Sequence, residues 1–466
     1  MLLSRLWSAF VIVAVIVAGI KFIASENYRT IFNDLVVGQS GDTIVITHGG
    51  VPFEITAALN NKSHNTILND NGIFYKKINE KQIQIFRIQH SDGIIGTAKT
   101  AVEISIGLIG IMTLFMGFMG IAERAGGIRF LSRIIQPFFS KIFPDVPKNH
   151  PAFGLMTLNF SANLLGLDNA ATPFGLRAME SLQQLNPDKS RASNAQIMFL
   201  CLHASGLTLI PVSIIAIRAA QHSANPTEIF LPTLIATFCA TMAALIIVSI
   251  KQKINLFQPK IFAFIGTISA IIGGLVLLLV KMNSAELDTA NKLISNGLIL
   301  LIFFVIVLGG IWKKINIFDS FIEGAKDGFK VCVRIIPYLV GMLVAISLLR
   351  TSGVFDLMIN AIKHFTALVG ADTRFVDGLP TALIKPFSGS AARGMMVDTI
   401  TTFGVDSFAA RLSAILQGSS DTTFYVIVVY FGAVSVKNTR YTIGAMLLAD
   451  FVGITVSILM AYLFFG

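Results

Sequence analysis

The stretch GLMTLNFSANLLGLDNAATPFG at residues 154–175 decides the fold of this chain. Two apolar runs meet in it at a centre crowded with Gly, Asp, Asn, Thr and Pro. Because an unpaired backbone group is costly in lipid, such an interruption persists only inside protein or beside a wet cavity. In a membrane protein the stretch predicts a broken helical hairpin over 151–183. The alternative is a cytoplasmic loop with a helix cap.

The composition of the whole chain places it in a membrane. Of its 466 residues, 54% are hydrophobic and 13% are charged, and the mean hydropathy is +0.73. Soluble domains average about 25% charged residues. Apolar stretches near the ~20 residues that span a bilayer recur along the sequence. After an apolar run at 6–20, the candidate spans are 101–121, 195–218, 228–250, 260–280, 293–312, 328–348, 408–433 and 441–464.

The net charge of +10 indicates membrane topology rather than a nucleic-acid partner. The basic residues gather in short loops beside the candidate spans, which is typical of loops on the cytoplasmic side. We therefore expect a multi-pass protein of the bacterial inner (plasma) membrane with its N-terminus in the cytoplasm. The residues concerned are Arg124, Arg129, Arg133, Lys141, Lys148, Lys251, Lys253, Lys260, Lys313 and Lys314.

Two regions precede the main membrane part. Residues 1–23 read either as a retained transmembrane helix or as a secretory signal peptide; the poor cleavage site after Lys21 favours the helix. Residues 24–97 are polar and contain alternating runs at 43–47 and 82–88, which predict strands. We expect a small extracytoplasmic insertion with β structure.

A second interrupted segment and an internal repeat follow. Residues 380–402 again place Pro, Gly, Ser and Arg where a span would be apolar, which predicts a second hairpin. Three matches fall in the same order at nearly constant offsets: 124–128 with 350–354, 159–163 with 386–390, and 203–208 with 417–422. The chain therefore divides into a first repeat at 98–314 and a second at 315–466.

Topology predicts that the two repeats are inverted. If the first hairpin enters and leaves on one side, five spans separate the starts of the repeats, and an odd number turns the second one over. Inverted repeats with broken helices at matching positions are typical of transporters with a site near the membrane midplane. The predicted fold class is an all-α polytopic membrane protein with two inverted repeats, re-entrant hairpins and the small β-containing insertion.

The candidate binding residues lie at the two hairpins and in two later polar clusters. Polar and ionisable residues inside a span are expensive and by default mark a substrate or proton path. Asp421 is the leading candidate for a protonatable group, and Arg393 could hold an anion or neutralise Asp398 or Asp421. For His203 the alternative is a purely structural role. The complete set is Asn163, Asp168, Asn169, Thr172, His203, Ser205, Ser388, Ser390, Arg393, Gln417, Ser419, Asp421 and Thr422.

The motifs of common enzymes and metal sites are missing from the sequence. It contains no P-loop, no G-x-S-x-G and no H-E-x-x-H. Its three cysteines, Cys201, Cys239 and Cys332, all lie in apolar segments without C-x-x-C spacing. We expect no catalytic residues, no metal site and no cofactor.

At these residues the sequence resembles the spore maturation protein A and B family, which carries the nucleoside-recognition (gate) domain. The resemblance covers about 98–466, with the first half similar to protein A and the second to protein B. It implies a transporter-like site without specifying a substrate. The matching motifs are 163–175, 209–211 with Arg218, 388–394, Asp406-Ser407 and 420–425.

Three functional hypotheses follow. The leading one is a transporter-like protein that binds a small polar or anionic solute, nucleoside-like or other, between inverted hairpins. The second is a non-transporting membrane scaffold or receptor for envelope or spore maturation, which uses 24–97 to engage a partner. The third is movement of a lipid or envelope precursor. The expected partners are a small-molecule solute and the lipid bilayer, with a homo-oligomer possible and no nucleic acid.

Overall fold

The computed structural model describes residues 2–38, 43–46, 67–70, 73–79, 82–89, 93–147 and 149–466. Within these ranges the description leaves out the side chains of 2–4, 6, 43–46, 67–70, 73–74, 76, 78–79, 82–89, 168–170, 260 and 284. This part of the chain is dominated by helices. Their bounds are α1 Leu2–Ala24, α2 Ile31–Val36, α3 Gly93–Arg124, α4 Gly127–Ile142, α5 Pro151–Leu164, α6 Asp168–Leu185, α7 Asn194–Ala204, α8 Val212–Ala220, α9 Phe230–Gln252, α10 Pro259–Val280, α11 Ser284–Trp312, α12 Ile317–Thr351, α13 Val354–Leu368, α14 Pro380–Ile384, α15 Gly389–Phe403, α16 Phe408–Gly418, α17 Thr423–Ala433 and α18 Thr442–Phe465.

Long apolar helices make this chain a multi-pass membrane protein. Within the described residues, seven helices are long and apolar enough to cross a bilayer. On α10 and α11 large apolar side chains such as Leu277 and Leu300 are exposed, as expected of side chains that face lipid. The spans are Trp7–Ala24, Gly93–Arg124, Phe230–Gln252, Ile261–Val280, Ala285–Trp312, Ile317–Thr351 and Thr442–Phe465.

Two of the predicted spans are wrong as continuous helices. The expected span at 195–218 is broken between α7 and α8, and the one at 408–433 is broken between α16 and α17. In the first, Gly206 adopts a left-handed φ of 65° and Pro211 has no N–H to donate. In the second, the Asp421 carboxylate accepts from the N–H of Thr422 at 2.7 Å, which competes with helix continuation.

Both predicted hairpins consist of helix pairs. In the first, α5 and α6 meet at Gly166, whose φ is 71°. A Cβ there would lie 2.9 Å from the carbonyl oxygen of Ile210, so the break between α7 and α8 packs directly on the hairpin tip. In the second, α14 is only five residues long, and α15 begins where Ser388 Oγ accepts from the N–H of Ala391 at 3.1 Å.

The order of elements occurs twice along the chain. We call α3–α9 the first copy and α12–α18 the second copy. Each has a long helix (α3 or α12), a short amphipathic helix (α4 or α13) and a hairpin (α5–α6 or α14–α15). A broken crossing (α7–α8 or α16–α17) and a spanning helix (α9 or α18) follow. The amphipathic helices α4 and α13 both start after a glycine in the left-handed region, Gly126 with φ 83° and Gly353 with φ 78°. The helices α10 and α11 lie between the copies. The boundaries 98–314 and 315–466 stay predictions.

The two long helices α3 and α12 pack closely and antiparallel. A Cβ on Gly328 would lie 2.7 Å from the carbonyl of Met112, and one on Gly120 would lie 2.7 Å from that of Ser320. Residue numbers fall along α3 in the direction in which they rise along α12, so the two helices run in opposite directions. Small residues permit such close approach between helices in lipid.

The N-terminal helix α1 runs parallel to α12. Trp7 Nε1 donates to the carbonyl of Gly341 at 2.8 Å, and Lys21 Nζ donates to that of Ser352 at 2.7 Å. Residue numbers therefore rise in the same direction along both helices. The Lys21 ammonium also lies at the C-terminus of α12, where a positive charge complements the helix dipole.

The segment between α2 and α3 contains a four-stranded antiparallel sheet. Its strands are β1 Thr43–Ile46, β2 Ile67–Asp70, β3 Ile73–Asn79 and β4 Gln82–Gln89, in the order β1-β4-β3-β2. Thr43 pairs with Gln89 and Ile67 with Lys76. Residues 47–66 lie outside the described residues, and the extracytoplasmic location of 24–97 stays a prediction.

Candidate functional site

A cavity of about 440 Å³ lies where the hairpins and broken crossings of both copies meet α3 and α12. This volume is in the usual range of small-molecule sites. The cavity wall brings together residues that are distant in sequence, from Met112 on α3 to Tyr425 on α17. Of the predicted site residues, the wall contains Asn163, His203, Ser390, Arg393, Gln417 and Asp421.

Four other predicted residues lie behind the wall and shape the breaks. Ser205 and Ser419 hold equivalent places, because each hydroxyl donates to the carbonyl three residues earlier at 2.9 Å. Ser388 caps α15. Thr422 packs against Gly389, where a Cβ would lie 2.8 Å from its Oγ1. These contacts indicate positioning rather than ligand contact.

The remaining predicted residues belong to α6. Thr172 is buried in part and does not contribute to the cavity wall. The backbones of Asp168 and Asn169 form the start of α6, and their side chains lie outside the described ones. Their predicted roles stay predictions.

His203 connects the first hairpin to the second broken crossing. Its Nδ1 lies 2.7 Å from the amide nitrogen of Asn163 and 3.1 Å from Oδ1 of Asn159. Asn159 in turn donates to the carbonyl of Ala171 at 2.7 Å, which fixes its amide. On the other side of the ring, His203 Nε2 lies 3.9 Å from Oδ2 of Asp421. A buried imidazole thus faces a carboxylate that is open to the cavity.

Gln417 occupies in the second copy the place that His203 has in the first. Its Nε2 donates to the carbonyl of Gly389 at the second hairpin, 3.3 Å away. Its side chain is only 5% exposed, and Oε1 has no hydrogen-bond partner among the described residues. Lys385 donates to the main-chain carbonyl of Gln417. The two copies thus have a polar side chain at the same position, an imidazole in the first copy and an amide in the second.

Backbone hydrogen bonds hold each break against the neighbouring hairpin. In the first copy, the N–H of Leu209 donates to the carbonyl of Leu164 at 2.8 Å. In the second copy, the N–H of Phe424 donates to the carbonyl of Pro386 at 2.9 Å. The two breaks also touch each other, because the N–H of Asp421 donates to the carbonyl of Ala204 at 2.8 Å. These bonds satisfy backbone N–H and carbonyl groups that have no partner within the interrupted helices.

Two cations of the wall were missing from the predicted set. Lys385 is 8% exposed, and Arg334 projects from the middle of α12. Arg334 is the single charged residue between Val331 and Leu349 of an otherwise apolar run. This isolation was a signal for function in the sequence, since an ionisable residue inside a span is expensive.

Asp398 has an arginine partner on another helix, and the suggestion that Arg393 neutralises it stays a prediction. Asp398 pairs with Arg350, whose Nε lies 3.1 Å from its Oδ1, and whose Nη2 contacts its other oxygen. The Arg350 guanidinium also lies over the ring of Phe355, 4.5 Å from its centroid. Arg393 itself lines the cavity wall.

A buried ion cluster, which we call the ionic junction, joins the two copies at one end of the broken crossings. Arg218, which is fully buried, contacts Asp406 at 3.0 Å and also Glu228. Arg411 Nε lies 2.6 Å from Glu228. Burial raises the pKa of Asp406, but hydrogen bonds from Ser223 and the N–H of Ala224 and the charge of Arg218 lower it below its usual value.

A second contact, which we call the backbone junction, joins the copies through their opposite loops. The N–H groups of Lys437 and Asn438 donate to the carbonyl of Ser190 at 2.9 and 3.0 Å. The N–H of Ala192 donates to the carbonyl of Asn438 at 2.9 Å. Arg440 Nη1 donates to Oδ1 of Asn194 at 2.8 Å.

Comparison with known proteins assigns the family. The family model described as "Nucleoside recognition" (Gate) matches residues 105–221 and 332–437. The chain is 44% identical to spore maturation protein B of Bacillus subtilis (strain 168) over 173 residues, which is 37% of this chain and 96% of that relative. It is 43% identical to spore maturation protein A of the same organism over 157 residues, 34% of this chain and 80% of that relative. The chain belongs to the spore maturation protein A and B family. No solved structure matches it.

The two segments matched by the family model are the parts that build the cavity. The first contains α5–α8 and the second contains α14–α17. Each segment therefore supplies one hairpin and one broken crossing. The arrangement of one A-like and one B-like unit in a single chain is consistent with matches that each cover about a third of it.

Proposed function

We propose that this chain is a transporter-like protein of the inner membrane that binds a small polar or anionic solute between two inverted hairpins. The observation that carries the proposal is the cavity, whose polar wall is made by the breaks of both copies. Backbone interrupted at mid-helix is tolerated in a membrane where it lines such a cavity. Broken helices at matching positions of two repeats are typical of transporter sites.

The inverted arrangement is supported by helix directions. The equivalent helices α3 and α12 pack antiparallel, as two copies related by an axis in the membrane plane would. Because α1 runs parallel to α12, a cytoplasmic N-terminus makes α12 run outward and α3 run inward. The segment 24–97, which connects α1 to α3, is then extracytoplasmic.

The charges of the two amphipathic helices support the same orientation. The helix α4 carries Arg129, Arg133 and Lys141 without an acidic residue, whereas α13 carries both Asp356 and Lys363. An excess of basic residues favours the cytoplasmic side. This favours the cytoplasmic face for α4 and the opposite face for α13, which is the arrangement that inversion requires.

Asp421 is the residue that we propose to take up and release a proton during transport. Its carboxylate lines the cavity, and His203 Nε2 lies 3.9 Å from it. The imidazole supplies a second group beside the carboxylate that can accept and donate a proton.

The test is uptake by lipid vesicles that contain the purified full-length chain. Labelled nucleosides and nucleoside monophosphates are offered under an imposed pH gradient. Asp421→Asn is expected to abolish gradient-driven uptake, since an amide cannot exchange the proton, while the thermal midpoint of the protein stays near that of the wild type. Asp288→Asn removes an exposed carboxylate on α11 and is the matched control. Full uptake by Asp421→Asn would remove Asp421 from the mechanism, and failure of the wild type to take up any probe would contradict transport of these solutes.

A further inference from the structure

The second hairpin carries a lysine at its tip, and the first does not. Lys385 lies between α14 and α15 and is nearly buried. Because the repeat aligns 159–163 with 386–390, the equivalent residue of the first hairpin is Leu158. An ammonium group buried in a membrane protein is unfavourable unless partners compensate for its lost hydration. The partners of Lys385 therefore indicate what its charge does.

The ammonium of Lys385 lies at the C-terminus of α16. It donates to the main-chain carbonyl of Gln417, one residue before the helix ends. Carbonyl groups in the last turn of a helix lack N–H partners within the helix and carry a partial negative charge. The carbonyl of Leu416 is bound locally, because the hydroxyl of Ser419 donates to it at 2.9 Å. Lys385 thus satisfies a carbonyl group that the break leaves without a helical partner.

The corresponding helix end in the first copy is satisfied without a cation. At the end of α7, the carbonyl of His203 accepts from the N–H of Gly206 at 3.2 Å. The carbonyl of Ala204 accepts from the N–H of Asp421 at 2.8 Å. Backbone N–H groups therefore bind these carbonyls in the first copy, whereas an ammonium binds one in the second.

A buried carboxylate completes the surroundings of Lys385. Asp450 is the single Asp, Glu, Lys or Arg of α18, and it is buried. Its Oδ2 accepts from Thr423 Oγ1 at 2.5 Å. The same carboxylate interacts with the hydroxyl of Ser420 and with the charge of Lys385, and Asp421 adds a second negative charge near it. The protein itself therefore supplies the negative charge that compensates the ammonium.

The groups around this ammonium are those that bind small monovalent cations in membrane proteins. They are a main-chain carbonyl at the end of a short helix, hydroxyl groups and a carboxylate, all beside a break in a crossing. In transporters with broken helices, unwound carbonyls and the C-terminal ends of half-helices coordinate the coupling Na⁺ or proton. Oxygen ligands of this kind suit hard cations.

We propose that the C-terminal end of α16 is a site for a small monovalent cation, that Lys385 fills it with its own ammonium, and that Asp450 is the counter-ion. A free Na⁺ or K⁺ is then not needed at this place, and a gradient of these ions does not drive the chain. The statement about the driving ion rests on the proposed function, which it makes more specific. The statement about the cation site goes beyond that function.

The experiment measures the thermal midpoint of the purified full-length chain in NaCl, KCl or choline chloride at equal ionic strength. Lys385→Ala removes the ammonium and leaves room where it was. Binding of a free cation to the folded protein raises the midpoint by mass action. We expect Na⁺ or K⁺ to raise the midpoint of Lys385→Ala by about 2 °C relative to choline, once the cation exceeds its dissociation constant about tenfold. The midpoint of the wild type is expected to be equal in the three salts.

Two further variants test whether the response comes from this site. A double variant combines Lys385→Ala with Asp450→Asn and removes the carboxylate as well, so the response to Na⁺ and K⁺ should disappear. Lys363→Ala is the matched control, because Lys363 pairs with Asp377 at 2.9 Å outside this site. It also leaves an aspartate without its lysine and is expected to show no response to the cations.

Each outcome of the thermal measurement decides the inference. A response of Lys385→Ala that the double variant lacks supports it. An equal response of the wild type and Lys385→Ala, or no response of either, overturns it. A Lys385→Ala protein that aggregates in all three salts while the double variant stays folded also overturns it, because no free cation then replaces the ammonium.

The uptake assay separates this inference from the proposed function. A Na⁺ gradient without a pH gradient is expected to drive no uptake by the wild type. Uptake driven by Na⁺ would overturn the inference while supporting transport. Absence of uptake under every gradient would contradict the proposed function, and the thermal measurement would still decide whether the end of α16 is a cation site.

Discussion

The ionic junction and the backbone junction occupy equivalent places in the two copies but hold them together in different ways. In the ionic junction, the loop after α8 meets the loop before α16, and Arg218, Glu228, Asp406 and Arg411 are joined by their side chains. In the backbone junction, the loop after α17 meets the loop before α7, and most bonds are made by main-chain groups of 190–192 and 437–438.

The difference teaches which contacts depend on the sequence. A buried ion cluster stays favourable only while every charge has its partner, because the buried charges have lost their hydration and only the partners compensate for it. Main-chain hydrogen bonds are independent of side-chain identity, so the backbone junction tolerates substitution. We therefore expect single substitutions to destabilise the ionic junction and to have little effect on the backbone junction.

The largest effect is expected for Glu228→Gln. This change removes the carboxylate that Arg218 and Arg411 share and leaves a fully buried guanidinium with less negative charge around it. Breaking a buried pair in this way costs about 3–5 kcal/mol. Equilibrium unfolding of the purified protein in detergent measures the change. Glu286→Gln, on the exposed first turn of α11, is the control and is expected to have little effect. An unchanged free energy of unfolding for Glu228→Gln would show that the cluster contributes nothing net.

A smaller and pH-dependent effect is expected for Asp406→Asn. Its carboxylate accepts from Ser223 Oγ at 2.6 Å and from the N–H of Ala224 at 2.9 Å, and the loss of such charge-assisted bonds costs about 1.5–3 kcal/mol. Because the pKa of Asp406 is lowered in the folded protein, the stabilisation is complete above its ordinary value of 3.8 and is lost as the pH falls through the folded value.

The measurement for Asp406 is the difference in unfolding free energy between wild type and variant over a pH series. The difference should be constant around neutral pH and shrink on acidification below the ordinary carboxyl range. A difference that grows as the pH falls would contradict the sign of the pKa change.

The smallest effect is expected for Arg440→Gln in the backbone junction. Arg440 is exposed, and it adds side-chain bonds to Asn194 and to the carbonyl of Ala192 beside main-chain bonds that remain. An exposed polar contact of this kind is worth about 0–1 kcal/mol. The same unfolding assay measures it. A loss as large as that of Glu228→Gln would erase the distinction between the two junctions.

Much of the fold could be predicted from local sequence. Gly and Pro inside apolar runs marked both hairpins, and the matches between 203–208 and 417–422 marked equivalent positions. The breaks between α7 and α8 and between α16 and α17 were not foreseen. Their flanks are so apolar that an average over a span hides Gly206 and the polar stretch 419–422.

The site was predictable only in part, because it depends on long-range packing. Six of the predicted residues reach the cavity, since their polarity inside apolar segments is a local signal. Arg334 joins them because α12 packs against α3, and Asp398 pairs with Arg350, which comes from another helix. No local pattern contains either relation.

The pair α10 and α11 between the copies has a consequence for how the chain can vary. The direction in which α12 crosses the bilayer depends only on whether the crossings before it are odd or even in number. In the proposed topology, the first copy contributes three, counting α3, the broken crossing α7–α8 and α9, and the pair adds two. Parity is therefore unchanged by the pair, so its gain or loss would leave the antiparallel contact of α3 with α12 in the same sense, provided that the connection still reaches.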